Sequence, residues 1–375
     1  MSDNPVAKLQ DFGQSVWLDV LGRGLIESGE LQGLIENDGV RGVTSNPAIF
    51  EKSIAGTDDY DEAIAELAGR GLGAEEIYET LAVEDIQRAT DLLRRMWDGT
   101  DGQHGHVSLE VNPHLARDTD GTIEEARRLW EAVDRPNVLI KVPATKEGLP
   151  AIEQLISEGI GVNVTLLFGL PRYREVAEAY ISGIERRVAA GESVYRITSV
   201  ASFFLSRIDV LVDGVLDEMA QGEGREAELA DRLYGQVAIA SAKTAYQMYK
   251  EIFGGSRWRR LADRGARVQR LLWASTSTKN PKFRDVKYVE ALIGPETVNT
   301  LPMETLIAWR DHGEPRETLE EGLDEAAEVL ERLPEVGIEI DQVTAQLVEE
   351  GIEKFNNPFD ELMATLGEAV EKARG

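Results

Sequence analysis

Eight short runs of β-branched and apolar residues alternate with longer segments of helical periodicity, and this alternation limits the fold more than any other feature. The predicted strands are 16–20, 42–46, 107–111, 138–142, 162–168, 199–204, 271–275 and 297–301. Eight strands, each followed by helix, predict an α/β fold of the (β/α)8 TIM-barrel type. An open doubly wound sheet is the alternative, but the sequence has no Gly-x-Gly-x-x-Gly after the first strand and no P-loop.

The helical segments have recognisable ends. We predict a helix over 122–133, opened by a capping box of Thr122 and Glu125, and another over 173–190, with Pro171 near its start and Gly191 after its end. The longest connections, about 51–105 and 206–270, and the acid-rich segment of about 304–375 are also helical in pattern. We expect a single barrel domain over 1–375 that carries these segments as two insertions and a C-terminal extension.

Charge and composition exclude several classes of function. With 68 acidic and 40 basic residues and a net charge of −28, the surface would repel nucleic acids and anionic membranes, so an anionic ligand needs a local basic pocket. The chain has no cysteine for a disulfide or a thiolate metal site, and its four histidines have no metal-ligand spacing. Residues 1–10 do not resemble a signal peptide, and no apolar stretch approaches about 20 residues. We expect a cytoplasmic protein without a metal.

A lysine interrupts the apolar run NVLIKVP at 137–143. An ammonium group in a buried strand is costly, and burial favours the neutral amine that attacks carbonyl carbons. Lys141 is therefore a candidate Schiff-base nucleophile. The alternative is that the strand lies at a sheet edge, where the lysine reaches solvent.

Polar residues also interrupt the neighbouring strands, at or near one end. They are Asp19, Thr44, Asn46, Glu110, Asn163 and Thr165. Residues two apart on a strand share a face, so Thr44 lies with Asn46 and Asn163 with Thr165. In a barrel the carboxyl ends of the strands meet in one pocket, although any one of these residues could instead have a structural role.

These residue types suit the making and breaking of a carbon–carbon bond by an amine. Lys141 would attack a ketone, and Glu110, through a water shared with Thr165, would shuttle the proton that lets water leave. Asp19 would take the proton from the hydroxyl group that departs as an aldehyde. Asn46 and Asn163 would hold substrate hydroxyl groups.

Six segments together resemble the transaldolases. They are VWLD (16–19), GVTSNP (42–47), VSLEV (107–111), LIKVPAT (139–145), GVNVTL (161–166) and ASFFLSR (201–207). The resemblance implies a Schiff base on Lys141, assistance from Glu110 and Thr165, and acid/base work by Asp19. It also implies transfer of a dihydroxyacetone unit from sedoheptulose 7-phosphate or fructose 6-phosphate to an aldose phosphate, without a cofactor, in the non-oxidative pentose phosphate pathway.

The resemblance extends to substrate binding, with one departure. Thr44, Asn46, Asn163, Ser202 and Phe204 are our candidates for contacts with the sugar, and Arg207 is the expected phosphate ligand. After the seventh strand the shorter transaldolases read serine, phenylalanine, arginine, whereas this chain reads STSTKNP at 275–281. Ser275 and Lys279 are our candidates for completing the phosphate site.

Length and the acidic C-terminal segment resemble the longer transaldolase subfamily, which occurs alone or fused to phosphoglucose isomerase. A functional link to that enzyme, and either a monomer or a homodimer, are compatible with the sequence. Two other functions stay open. The first is a fructose 6-phosphate aldolase that releases free dihydroxyacetone, in which tyrosine stands at the position of Phe204. The second is a non-catalytic barrel that binds sugar phosphates.

Overall fold

A computed structural model describes residues 4–374. Its strands are β1 (Gln14–Leu18), β2 (Gly42–Val43), β3 (His106–Glu110), β4 (Val138–Pro143), β5 (Val162–Leu167), β6 (Ser199–Phe204), β7 (Arg270–Ala274) and β8 (Thr297–Leu301). Each strand pairs in parallel with the next, and β8 pairs with β1, so the sheet is a closed barrel. The predicted (β/α)8 fold is confirmed.

Helices surround the barrel and fill its long connections. They are α1 (Pro5–Lys8), α2 (Arg23–Glu27), α3 (Glu30–Asn37), α4 (Pro47–Ile54), α5 (Asp61–Gly69), α6 (Ala74–Gly99), α7 (Thr119–Val133), α8 (Gly148–Glu158), α9 (Leu170–Ala189), α10 (Ser206–Ala220), α11 (Arg225–Leu233), α12 (Val237–Gly254), α13 (Ser256–Ala262), α14 (Lys287–Ala291), α15 (Met303–His312), α16 (Leu323–Arg332) and α17 (Ile340–Arg374). Short 3-10 turns cover Leu9–Phe12, Pro113–Arg117 and Leu333–Val336. Within the described chain, no helix is both long and apolar enough to cross a bilayer.

Two of the local predictions are wrong. The second strand is not 42–46 but only Gly42–Val43, because Asn46 accepts a hydrogen bond from the Ile49 amide and so caps α4, with a proline next in sequence. The predicted capping box at Thr122 is also absent. Asp118 caps α7 instead, by accepting a hydrogen bond from the Gly121 amide, while the Thr122 hydroxyl donates to the Leu115 carbonyl.

Strand register aligns polar residues across the barrel wall. Glu110 of β3 is opposite Lys141 of β4, and Lys141 is opposite Asn163 of β5. Two residues further along, Pro143 is opposite Thr165. Side chains at matched positions of neighbouring parallel strands lie close together, so the sheet itself brings three of the candidate groups side by side.

The long helix α17 lies across the carboxyl end of the barrel. It packs on α4, α5, α6 and α10 and reaches β5. At Gly351 the approach is tight, because an added Cβ would lie 2.8 Å from Leu166 Cδ2 and 3.7 Å from Arg207 Nη1. A glycine here lets the helix axis come close to the strand ends, so α17 forms one wall of the space above the barrel.

Candidate active site

Lys141 lies inside the barrel wall. Strand β4 is flanked on both sides by β3 and β5, and the lysine is 4% exposed, so the alternative of an edge-strand lysine is wrong. The ammonium group donates a hydrogen bond of 2.9 Å to the Ser45 carbonyl and is 3.4 Å from Glu110 Oε2. Lys141 therefore has a fixed orientation and a carboxylate beside it.

Glu110 is the group best suited to exchange a proton near neutral pH. Burial raises its pKa to about 7, although the neighbouring Lys141 opposes the shift. Glu110 Oε2 has no hydrogen-bond partner among the described residues beyond the ion pair, and neither does the buried hydroxyl of Thr165. A carboxyl group with such a pKa is present both as acid and as base at pH 7, which general acid–base catalysis requires.

Asp19 follows β1 directly and is held by hydroxyl groups. Thr44 Oγ1 donates a hydrogen bond to its carboxylate and lies 2.8 Å from Thr300 Oγ1. Burial raises the pKa of Asp19, while Lys141 and the Thr44 hydrogen bond lower it. Two carboxyl groups with raised pKa values thus face one lysine, on different strands.

A cavity of about 760 Å³ opens at the carboxyl end of the barrel. Nine of the twelve candidate residues line it: Asp19, Thr44, Asn46, Lys141, Ser202, Phe204, Arg207, Ser275 and Lys279. The other three, Glu110, Asn163 and Thr165, are buried and do not line it. The volume is in the range of pockets for small-molecule ligands.

Asn163 has both ends of its amide in use. Its Nδ2 donates to Ser108 Oγ at 2.9 Å, and its Oδ1 accepts from Ser202 Oγ at 2.7 Å. Asn46 lines the cavity while its Oδ1 caps α4. These two asparagines, which the sequence treats alike, therefore differ: Asn163 holds Ser202 in place from behind the cavity, and Asn46 borders the cavity directly.

Arg207 is a partly buried cation of the cavity wall. It lies in the first turn of α10, with its guanidinium 5.4 Å from the ring centre of Phe204 and 5.8 Å from that of Phe355. Its Nη1 is buried without a hydrogen-bond partner among the described residues, and burial lowers its pKa. A guanidinium in this state suits an anionic ligand.

Ser275 and Lys279 also line this cavity. Ser275 has a φ of 55°, unusual for a residue other than glycine, and its hydroxyl lies 2.8 Å from Ser206 Oγ. Lys279 is exposed at the rim.

Sequence reasoning missed the wall that α17 supplies. Leu347, Glu350, Lys354 and Phe355 line the cavity, and the Phe355 ring centre is 6.0 Å from Lys141 Nζ. Lys354 forms an ion pair of 3.3 Å with Glu350. The amphipathic pattern of α17 predicts a helix but does not say which part of the barrel it covers.

A second missed feature is the strained end of β5. The pairing of β5 with β6 shifts register between Val164 and Leu167, and Leu166 has a φ of 52°. Such bulges and left-handed residues concentrate at functional sites, where they change the direction of a side chain. Here the irregularity adjoins Thr165. The alternating apolar sequence of this strand gives no sign of it.

The histidines lie elsewhere. Ser15 Oγ is 3.1 Å from His104 Nδ1, and His106 Nε2 is 3.0 Å from the Gly102 carbonyl, both at the amino end of the barrel. Burial lowers the pKa of each imidazole to about 3. Within residues 4–374, no group of histidine and acidic side chains is arranged to hold a metal ion.

Comparison with known proteins agrees with this geometry. The sequence profile of the transaldolase/fructose-6-phosphate aldolase family matches residues 16–366. A transaldolase of Trichodesmium erythraeum is 49% identical, over 99% of each chain. A transaldolase 2 of Nostoc sp. is 50% identical over 98% of this chain and 97% of its own, and a transaldolase of Saccharopolyspora erythraea is 45% identical over 98% of each. The chain therefore belongs to the transaldolase/fructose-6-phosphate aldolase family.

Proposed function

We propose that this protein is a transaldolase that moves a dihydroxyacetone unit from sedoheptulose 7-phosphate or fructose 6-phosphate to an aldose phosphate, in the non-oxidative pentose phosphate pathway. One observation carries the proposal. Lys141 lines a cavity together with Asp19 and Arg207, and its amine is 3.4 Å from the buried carboxyl group of Glu110, whose pKa is about 7. An amine, two carboxyl groups and a guanidinium are what a phosphorylated ketose requires for Schiff-base cleavage.

Formation of the Schiff base is assigned to Lys141 and Glu110. The amine loses its proton and attacks the ketone carbon, which gives a carbinolamine. Glu110 then protonates the departing hydroxyl group, water leaves, and a protonated imine remains. The unpartnered hydroxyl of Thr165 is suited to holding the water that carries this proton. The Ser45 carbonyl fixes the direction of the amine.

Cleavage of the carbon–carbon bond is assigned to Asp19. Its carboxylate takes the proton from the hydroxyl group on the far carbon of the bond that breaks, which is the carbon that becomes the aldehyde. The bonding electrons move into the imine, which becomes an enamine, and the aldehyde leaves. An acceptor aldehyde then reverses these steps. Burial, which raises the pKa of Asp19, makes it a stronger base for this proton.

Substrate contacts are assigned to the cavity wall. Arg207 and Ser275 are suited to the phosphate, with an ammonium group from Lys279 or from Lys354. Thr44, Asn46 and Ser202 are suited to the sugar hydroxyl groups, with Asn163 positioning Ser202.

The aldolase alternative depends on Phe204, whose ring lines the cavity beside Arg207. Phenylalanine has no hydroxyl to bring water to the enamine, which favours transfer over release of free dihydroxyacetone. Phe204→Tyr should therefore raise the ratio of release to transfer several-fold. An unchanged ratio would remove Phe204 as the discriminating residue.

The test of the proposal is transfer from fructose 6-phosphate to erythrose 4-phosphate, followed as production of glyceraldehyde 3-phosphate. Borohydride reduction in the presence of fructose 6-phosphate should add a reduced dihydroxyacetone unit to the peptide that carries Lys141. A non-catalytic barrel would give neither product nor adduct. An adduct on another lysine would contradict the assignment.

The proposal also covers the protein's location, oligomeric state and partner. We place the enzyme in the cytoplasm, as a monomer or a homodimer, with a functional link to phosphoglucose isomerase. The relatives from Trichodesmium and Nostoc match over 99% and 97% of their lengths.

A further inference from the structure

The amino end of the barrel holds a buried arginine without a carboxylate partner. Arg270, the first residue of β7, is 5% exposed. Its guanidinium donates to Ser15 Oγ at 3.1 Å and to the Gln103 carbonyl at 3.0 Å, and within residues 4–374 no carboxylate is in ion-pair contact with it. Both of its hydrogen-bond partners are neutral, and the Glu296 carboxylate acts on its charge only from beyond ion-pair distance.

A second arginine adjoins the first. Arg267 Nη2 donates to the Asp101 carbonyl at 2.6 Å and is 3.4 Å from the Asp101 carboxylate. Its Nη1 is buried and has no partner in the described part of the chain. Asp101 also forms an ion pair of 2.9 Å with Arg196, so one carboxylate serves two arginines. The positive charge of this group is therefore not matched by contacts within it.

The two arginines border a cavity of about 280 Å³ at this end of the barrel. Its other lining residues are Gln103, Thr198, Val268 and Glu296. Glu296 is exposed and not in contact with either guanidinium at ion-pair distance. The cavity is separate from the active-site cavity, because the two have no lining residue in common.

A buried arginine without an ion pair is unexpected in a protein this acidic. Acidic residues outnumber basic ones by 68 to 40, and exposed arginines such as Arg257 pair with two glutamates at once. A buried guanidinium loses its hydration and is retained only where something else compensates its charge. Unsatisfied buried donors likewise indicate a missing partner.

We propose that this cavity binds a small phosphate-bearing metabolite, as a site distinct from the catalytic one. Guanidinium groups bind phosphate through paired N–H donors, and Thr198 and Gln103 are further polar residues on the wall. A volume of 280 Å³ is small for a ligand pocket and fits a phosphate with a short carbon skeleton rather than a nucleotide. The proposal does not depend on the catalytic assignment.

The experiment uses inorganic phosphate as the probe and Arg207→Ala protein as the background, so that the active site contributes little. Calorimetric titration at constant ionic strength, balanced with chloride, should show one site, and the melting temperature should rise with phosphate. Adding Arg267→Gln should weaken that binding about ten- to hundredfold, because one charge-assisted contact is lost.

Arg196→Gln, in the same background, is the matched control. It removes one positive charge beside Asp101 but does not line the cavity, so phosphate should still bind within about threefold of the background affinity. Arg267→Gln is preferred to Arg270→Gln because it alters a partly exposed side chain. No saturable binding in the background, or equal weakening by Arg267→Gln and Arg196→Gln, would overturn the proposal.

Discussion

The two ends of the barrel both bury charge, but they do so differently. At the carboxyl end Lys141 and Arg207 face Asp19 and Glu110, and burial raises the pKa of both carboxyl groups. At the amino end Arg270 lies among neutral dipoles. Buried charges of opposite sign in close contact leave carboxyl groups that exchange protons near pH 7, whereas a buried cation whose hydrogen-bond partners are neutral favours binding of a counter-ion.

The histidines sharpen this contrast. His104 and His106 are at the amino end, and burial, together with the nearby Arg270, lowers their pKa values to about 3. The side chain that usually titrates near neutral pH is therefore uncharged there, and a glutamate takes that role at the carboxyl end. Environment, rather than residue type, decides which end of this barrel can move protons.

The largest effect should come from removing the amine. Lys141→Met keeps an unbranched side chain of similar length, so the protein should fold, but transfer should fall by more than about 10³-fold because the covalent route is lost. Initial rates of transfer measure this. His104→Gln, a neutral change at the amino end, should retain activity within about twofold. Comparable losses of transfer activity in both variants would contradict the view that only the carboxyl end carries the chemistry.

Glu110→Gln should act on both rate and stability. Loss of the proton shuttle should slow formation of the trapped Schiff base by about 10²-fold or more. Asp19→Asn should instead form the Schiff base normally and fail at cleavage. Rapid-quench borohydride trapping separates the two steps, and equal trapping rates in the two variants would contradict the division of labour.

The pH dependence of stability follows from the same group. Between pH 4.5 and about 7, folded protein keeps a proton on Glu110 that the unfolded chain has released, so the free energy of unfolding falls as pH rises. Glutamine does not titrate. Relative to wild type, Glu110→Gln should therefore gain up to about 3 kcal/mol across this window, measured by urea unfolding. Glu62→Gln, at an exposed position, should gain nothing.

A smaller effect is expected at the rim, where the phosphate site has two candidate cations. Lys279→Ala should raise KM for fructose 6-phosphate about tenfold and leave activity on unphosphorylated fructose nearly unchanged, because one charge-assisted contact is lost. If KM rises only in Lys354→Ala, the second cation is supplied by α17. If neither variant changes KM while Arg207→Ala does, Arg207 and neutral donors hold the phosphate.

The smallest effect is an absence of change at the amino end. The imidazole resonances of His104 and His106 should stay constant from pH 5 to 8, because both pKa values are about 3. His312 is the internal control. It is exposed, and hydrogen bonds to Asp285 and Asp311 raise its pKa, so its resonances should shift in this range. Titration of His106 near pH 6.5 would mean that water reaches its imidazole, contrary to the burial that the structure indicates.

Sequence reasoning reached the barrel because eight strand patterns repeat, and it reached the candidate site residues because polar residues at strand ends interrupt those patterns. Lys141 and Glu110 are easy to find for this reason. Local patterns do not report distant contacts, so Phe355, which faces the cavity from a helix made much later in the chain, is not predictable. Nor does a local pattern distinguish Asn163, whose amide is saturated by two serines, from Asn46.

The position of α17 has a consequence for how the enzyme is made. All eight strands precede this helix, so the ribosome produces the whole barrel, with its lysine and carboxyl groups, before the wall that holds Phe355 and Lys354. A nascent barrel therefore lacks one wall of its cavity. Docking of residues 340–374 is the last step that encloses the Lys141 side chain.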